Sequence, residues 1–250
     1  MYYLTAMYVE AGVRAAPSPV RRPAIPTLAI VGAGSSMGLS IGKVFGRHGF
    51  DIALISRSKK NLDALVAELG ESGISSAGFP GDVSDRPSLT AALARAAGHF
   101  GGIDVLEFSP SARKTGIEAV PPLEVSPENM QPHIDYYLYG GVAAVQAVLP
   151  AMLRAGRGTL LFAGGSSAID PVPMAGNICP AQAALRSWVL NLRTVLAPRG
   201  VHVCNVVIGT TIFPARADGK AHADDIAPLF WEAYTNRDKP ERFFPPSLSD

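Results

Sequence analysis

Apolar residues along this chain fall into short unbroken runs that alternate with stretches of helical spacing. Leu28–Val31 is a first such run, and it ends in a glycine-rich turn. Leu39–His48 then reads as a helix, with Gly49 placed as its C-terminal cap. Asp51–Ser56 (DIALIS) is a second buried strand, and Asn61–Leu69 carries apolar residues at 62, 65, 66 and 69, the spacing of an amphipathic helix. A weak strand at Ala77–Pro80, a helix at Ser88–Phe100 and a strand at Ile103–Phe108 follow. Residues 111–127 form a loop rich in Pro and Gly. After it come a long helix (Asn129–Leu153), a strand (Thr159–Ala163), a helix (Ala181–Leu196), a strand (Val201–Val207) and a last helix (Asp224–Tyr234). Arg242–Phe244 is a candidate seventh strand near the end.

Strands that are apolar throughout, rather than alternating, are buried on both faces. Joined by helices, they predict an α/β fold: one doubly wound Rossmann domain over residues 27–250, with a parallel sheet of six or seven strands. Residues 1–26 differ, with an apolar, aromatic start and then Pro17, Pro19, Pro23 and Pro26 around Arg21 and Arg22. A secretory signal carries its positive charge before the apolar run, not after it. The segment therefore reads as an N-terminal arm, flexible or packed.

Composition narrows the function classes. Apolar residues make up 48% of the 250, enough for a full core, and only 17% are charged, which excludes a disordered chain. A net charge of +1 offers no field for a phosphate backbone, so no nucleic-acid partner is expected. No apolar run reaches the roughly 18 residues of a membrane span. Cys179 and Cys204 cannot make a disulfide framework or a four-ligand zinc site, so no metal is expected and the chain reads as cytoplasmic.

The first turn carries the strongest chemical signal. A strand, then Gly32-Ala33-Gly34-Ser35-Ser36-Met37-Gly38, then a helix is the geometry of a phosphate site. The glycines permit a tight turn and close backbone approach, and the helix N-terminus offers free N–H groups and the positive end of its dipole. This stretch resembles the TGxxxGxG turn of the short-chain dehydrogenase/reductase superfamily, with Val31 in place of Thr and Ser36 in place of the second Gly. The resemblance runs over roughly residues 27–235: Asp82-Val83, Ile103-Asp104-Val105-Leu106, Leu149-Pro150-x-Met152, Gly158, Ala183-Ala184-Leu185, and Gly209 with Thr211 all match its segments. It implies a small-molecule substrate, a nicotinamide dinucleotide, and a homodimer or homotetramer built through the two long helices. At the end of the second strand stand Ser56 and Arg57, where an acidic residue would select a ribose hydroxyl. Arg57 can pair with a 2′-phosphate and Ser56 can add a donor, so NADP(H) is favoured, with NAD(H) the alternative. By the same resemblance Ser109, after the fourth strand, and Gln182 also belong to the cofactor site.

The family's catalytic pattern is where this sequence departs. Members carry Asn, Ser and a Tyr-x-x-x-Lys in which the Tyr relays a proton and the Lys lowers its pKa. Aligned on Ala183-Ala184-Leu185, the Lys position holds Gln182, the Tyr position Ile178, the Ser position Gly165, with Ser166 and Ser167 beside it, and the Asn position Tyr137. No Tyr-x-x-x-Lys occurs anywhere in the chain. Ile donates no proton, and Gln carries no charge to depress a neighbour's pKa. Tyr137, His133 and Glu107 are the candidate replacements. His133 and Tyr137 stand four apart on the long helix and so are expected to share a face. Glu107 lies near the carboxyl end of the fourth strand, where such sheets bind ligands. Three readings follow: an NADP(H)-dependent oxidoreductase with a non-standard active site; a cyclase, isomerase or lyase on the same scaffold; and a nucleotide-binding pseudoenzyme or regulator.

Overall fold

The computed structural model describes residues 25–111 and 118–249. Of the expected N-terminal arm only Ile25 and Pro26 fall within them. All seven strands join one parallel sheet, in the order β3-β2-β1-β4-β5-β6-β7. They are β1 (Thr27–Val31), β2 (Asp51–Ser56), β3 (Ser76–Pro80), β4 (Val105–Phe108), β5 (Gly158–Gly165), β6 (Val201–Ile208) and β7 (Glu241–Phe244). The helices are α1 (Met37–Arg47), α2 (Lys59–Glu71), α3 (Arg86–Phe100), α4 (Pro127–His133), α5 (Gly140–Ala155), α6 (Cys179–Leu196) and α7 (Ala223–Asn236).

The sheet separates two apolar cores, which is why its strands are apolar on both sides. Leu106, Phe108, Leu160 and Phe162 face α3, α5 and α6. Ile30, Val105, Leu161 and Cys204 face α1, α2 and α7. Phe45 and Phe230 are wholly buried there, and each such side chain contributes about 1.5–3 kcal/mol. Strand order reverses between β1 and β4, so their carboxyl ends open the crevice in which such sheets bind ligands.

Most element ends move by one or two residues from the sequence expectation, and three differences have identifiable causes. β5 runs on to Gly165 because Gly164 and Gly165 stay paired with Val207 and Ile208 of β6. β7 begins one residue earlier, at Glu241. The Arg186 guanidinium from α6 grips that carboxylate with two groups, and Asn205 Nδ2 of β6 donates to its Oε1 at 2.9 Å. The expected single long helix is three pieces: α4, a π-helical segment (Ile134–Tyr139) and α5. An 18-residue stretch within Pro127–Ala155 has the length and apolarity of a membrane span, with a mean hydropathy of 1.3. Its apolar side is taken up by the fold, since Ala143, Ala144, Val145 and Val148 are buried in the core.

Candidate active site

Backbone geometry builds one end of the cleft. β1 leads into Gly32, whose φ of +93° is open to glycine. A Cβ at this position would stand 2.6 Å from Pro110 Cα, so the loop after β4 can cross directly over it. A Cβ on Gly38 would stand 2.9 Å from Ala33 Cα, so its absence lets the first turn of α1 close against the glycine loop. Ser36, the residue before α1, makes no side-chain cap, and the first turn of α1 carries no acidic residue. An uncapped, carboxylate-free N-terminus suits an anion, which is the first fit test for a dinucleotide's phosphates.

Around that turn lies a cleft of about 770 Å³. Gly32, Gly34, Ser35, Ser36, Met37 and Gly38 line it, as do Ser56, Arg57, Asp82, Val83 and Ser109. Ser58 turns its hydroxyl to the N–H of Asn61 as the cap of α2, and Lys59 pairs with Asp63 at 2.7 Å. Of the basic run that starts α2, Arg57 is thus the member that lines the cleft.

The other end is lined by Ile178, Gln182, Ala163, Gly165, Tyr136 and Tyr137. Ser167 Oγ donates to Gln182 Oε1 at 2.9 Å, which fixes the amide and leaves its N–H groups as donors. A Cβ on Gly165 would fall 2.9 Å from that oxygen, so Gly165 makes room for the pair. Tyr136 donates from its phenol to the Ser111 carbonyl at 3.2 Å, and burial pushes its pKa up to about 12. Its ring meets that of Tyr137 edge-on, 5.3 Å between centroids.

The structure separates His133 from Tyr137. Six residues of π-helix begin directly after His133, and a wider turn no longer stacks residues four apart. Tyr137 stays on the cleft wall, while His133 is wholly buried at the end of α4 and does not line the cleft. Burial lowers its pKa, and the Glu118 backbone beside it partly offsets that. Glu107 is also absent from the lining. Strand alternation points it to the α1/α7 side, between Ile30 and Leu161, with no exposed surface. Ser109 Oγ donates to its Oε2 at 3.0 Å, and burial pushes its pKa up to about 8. Gly209 and Thr211 are one residue out of phase: Ile208, Thr210 and Ile212 line the cleft, and the Gly209 N–H is tied to the Phe244 carbonyl of β7 at 2.7 Å. Asn61, Tyr136, Thr210 and Ile212 were not singled out by sequence. The period-2 spacing of 208, 210 and 212 was the available signal for two of them.

Part of the loop after β4, residues 112–117, lies outside the described residues. Among those described, no cluster of His, Cys, Asp and Glu is arranged to hold a metal ion.

A seven-stranded parallel sheet with a glycine-turn cleft at its switch point defines a Rossmann-type fold. The family described as short chain dehydrogenase matches residues 26–222, and the chain belongs to that family. Oxidoreductase UcpA of Salmonella typhimurium is 31% identical over 180 residues, which cover 71% of this chain and 66% of that protein. The match thus spans just under two thirds of that relative's length. The alcohol dehydrogenase of the archaeon Thermococcus sibiricus, complexed with 5-hydroxy-NADP, superposes with a TM-score of 0.75 at 23% identity, covering 88% of this chain and 95% of that one. L-sorbose reductase of Gluconobacter frateurii, complexed with NADPH and L-sorbose, gives 0.77 at 18% identity, with the same coverage of both chains. At those identities the likeness is one of fold.

Proposed function

We propose that this chain is an NADP(H)-dependent oxidoreductase that acts on a small molecule without the Tyr-x-x-x-Lys relay. One observation carries the reading: the glycine turn, the uncapped start of α1, and Arg57 line one side of a single cleft, and its far end has room for a substrate. At about 770 Å³ the cleft falls within the range of ligand sites, about 300–1,000 Å³. A sealed pocket would have favoured a pseudoenzyme, and this one is open.

In this reading Arg57 and Ser56 hold the 2′-phosphate, and the first N–H groups of α1 hold the diphosphate. Gln182, with its oxygen occupied by Ser167, presents amide hydrogens to a ribose hydroxyl. The bound cofactor supplies or accepts the hydride. Gln182 has no charge to lower a phenol's pKa, so the site suits substrates that need little proton assistance at an oxygen, such as activated alkenes and imines. Tyr137 then serves as a hydrogen-bond donor that orients the substrate's polar atom. Family membership supports a homodimer or homotetramer in the cytoplasm, which sedimentation and cell fractionation would check.

The test is NADPH consumption by the full chain with a panel of activated alkenes, imines and simple ketones. The reading expects turnover in the first two classes and little with ketones. NADPH binding without turnover of any class would favour the pseudoenzyme or non-redox readings.

A further inference from the structure

Glu107 is the one fully buried carboxylate in the core of the described residues. It sits in the central strand β4, one side-chain row below the cleft. Its neighbour Leu161 on β5 is followed two residues on, on the same face, by the cleft-lining Ala163. Moving a lone carboxylate into such a place costs several kcal/mol unless it is paired or protonated. Among the described residues no cation pairs with it. The ionisable groups on the elements of that face are otherwise engaged or distant. Lys43 of α1 is bonded to Glu68 at 2.6 Å, and Asp224 of α7 accepts from Ser40 at 2.6 Å. Asp225 is held by Arg216, Cys204 of β6 is kept as a thiol by burial, and His202 lies toward the opposite end of β6. β1 and β5, the strands on either side, contribute no ionisable side chain.

The hydrogen bond that Glu107 does make leads to the cleft. Ser109 donates to Oε2 at 3.0 Å and itself lines the cleft, while Oε1 has no partner among the described residues. A carboxyl with one oxygen bonded and one bare is arranged to hold a proton. A hydroxyl, both donor and acceptor, is the group that can pass it on.

We propose that Glu107 and Ser109 form a two-member proton relay that opens on the cleft and supplies the proton a reduced substrate requires. This rests on the NADP(H) reading above. Reduction of a C=C or C=N bond places a hydride on one atom and leaves an electron pair on the other. The Ser109 O–H bond breaks, and its proton joins that pair to form the N–H or C–H bond of the product. With Glu107 protonated on Oε2 the 3.0 Å bond runs in the opposite sense, Oε2–H donating to Ser109 Oγ, so Ser109 takes the carboxyl proton as it gives up its own. The Glu107 carboxylate is then reprotonated from water once product has left. No oxidant or reductant beyond the reduced nicotinamide is needed.

The relay is tested without a substrate, by infrared difference spectroscopy on the full chain. Wild type minus Glu107→Gln isolates the band of a protonated carboxyl. The expected band is present at neutral pH, fades with a midpoint near 8 and shifts on transfer to D₂O. Ser109→Ala should slow that isotope shift about tenfold or more, because the proton loses its path, and bound NADPH should slow it too by covering the cleft. A buried glutamic acid with a merely structural role would show no dependence on Ser109. If Glu107→Gln does not fold, Ser109→Ala still assigns the band, since losing the hydrogen bond moves its frequency. A missing band at neutral pH, or an exchange rate unchanged in Ser109→Ala, overturns the relay. NADPH titration of the same samples separates the two readings. Binding without the Ser109 dependence sinks the relay alone, and absence of binding sinks the nucleotide reading and the relay's part in reduction with it.

Discussion

At one end of the cleft the backbone defines the site; at the other, side chains do. Gly32, Gly38 and the N-terminus of α1 can hold a phosphate whatever the neighbouring side chains are, because the donors are peptide N–H groups. Such a site is specified by where Cβ atoms are missing, and it survives wherever the glycines do. The far end depends on individual side chains. There Ile178, Gln182 and Tyr137 line the wall, and in the proposed reading they stand where the family resemblance expects Tyr, Lys and Asn. On that reading, a backbone-built subsite persists while the chemistry beside it is exchanged.

That contrast can be broken most severely at Gly32. Gly32→Val places a branched side chain at a φ of +93° and against Pro110, so about 3 kcal/mol or more of stability is expected to go, together with NADPH binding. Urea denaturation and a cofactor titration on one preparation measure both.

Glu107 sharpens the comparison through pH. Its folded-state pKa, about 8, lies above the ordinary value of 4.5. The stability it contributes is therefore fully present below about pH 4.5 and lost as pH rises through about 8. Relative to Glu107→Gln, the wild type should lose stability across that window, by about 4 kcal/mol as an upper bound. Melting temperatures of both proteins at several pH values check the sign. Parallel curves would mean that Glu107 does not titrate there.

At the side-chain end, Tyr137→Phe should lower kcat about tenfold with little change in NADPH affinity, as removing one oriented hydrogen bond does. An unchanged kcat would reduce Tyr137 to packing. The smallest effect is expected from Ser167→Ala, which frees the Gln182 amide and should weaken NADPH binding about threefold, read by calorimetry.

The fold was legible because β1, β2 and β5 are nearly continuous apolar runs and the glycine turns fall between elements. The switch-point cleft follows from that order, and with it the placement of Arg57 at the end of β2. Other features were not legible, for identifiable reasons. A helix is read at 3.6 residues per turn, so the π-helical segment that parts His133 from Tyr137 leaves no mark in an i, i+4 count. β7 is held by Glu241, whose partners Arg186 and Asn205 stand 55 and 36 residues away, and no local pattern contains them. Glu107 was placed near the ligand by its position near a strand end, but its depth depends on which face alternation assigns it. Ile208, Thr210 and Ile212 displaced Gly209 and Thr211 for the same period-2 reason.

The central claim is that the backbone-built end binds NADP(H) through Arg57. Its most direct test is titration of the full chain with NADPH and NADH, wild type beside Arg57→Ala. Losing a charge-assisted pair with a phosphate costs about 1.5–3 kcal/mol, so Arg57→Ala should weaken NADPH about tenfold to a hundredfold and leave NADH nearly unchanged. Equal weakening of both cofactors, or no binding of either by the wild type, would contradict the account.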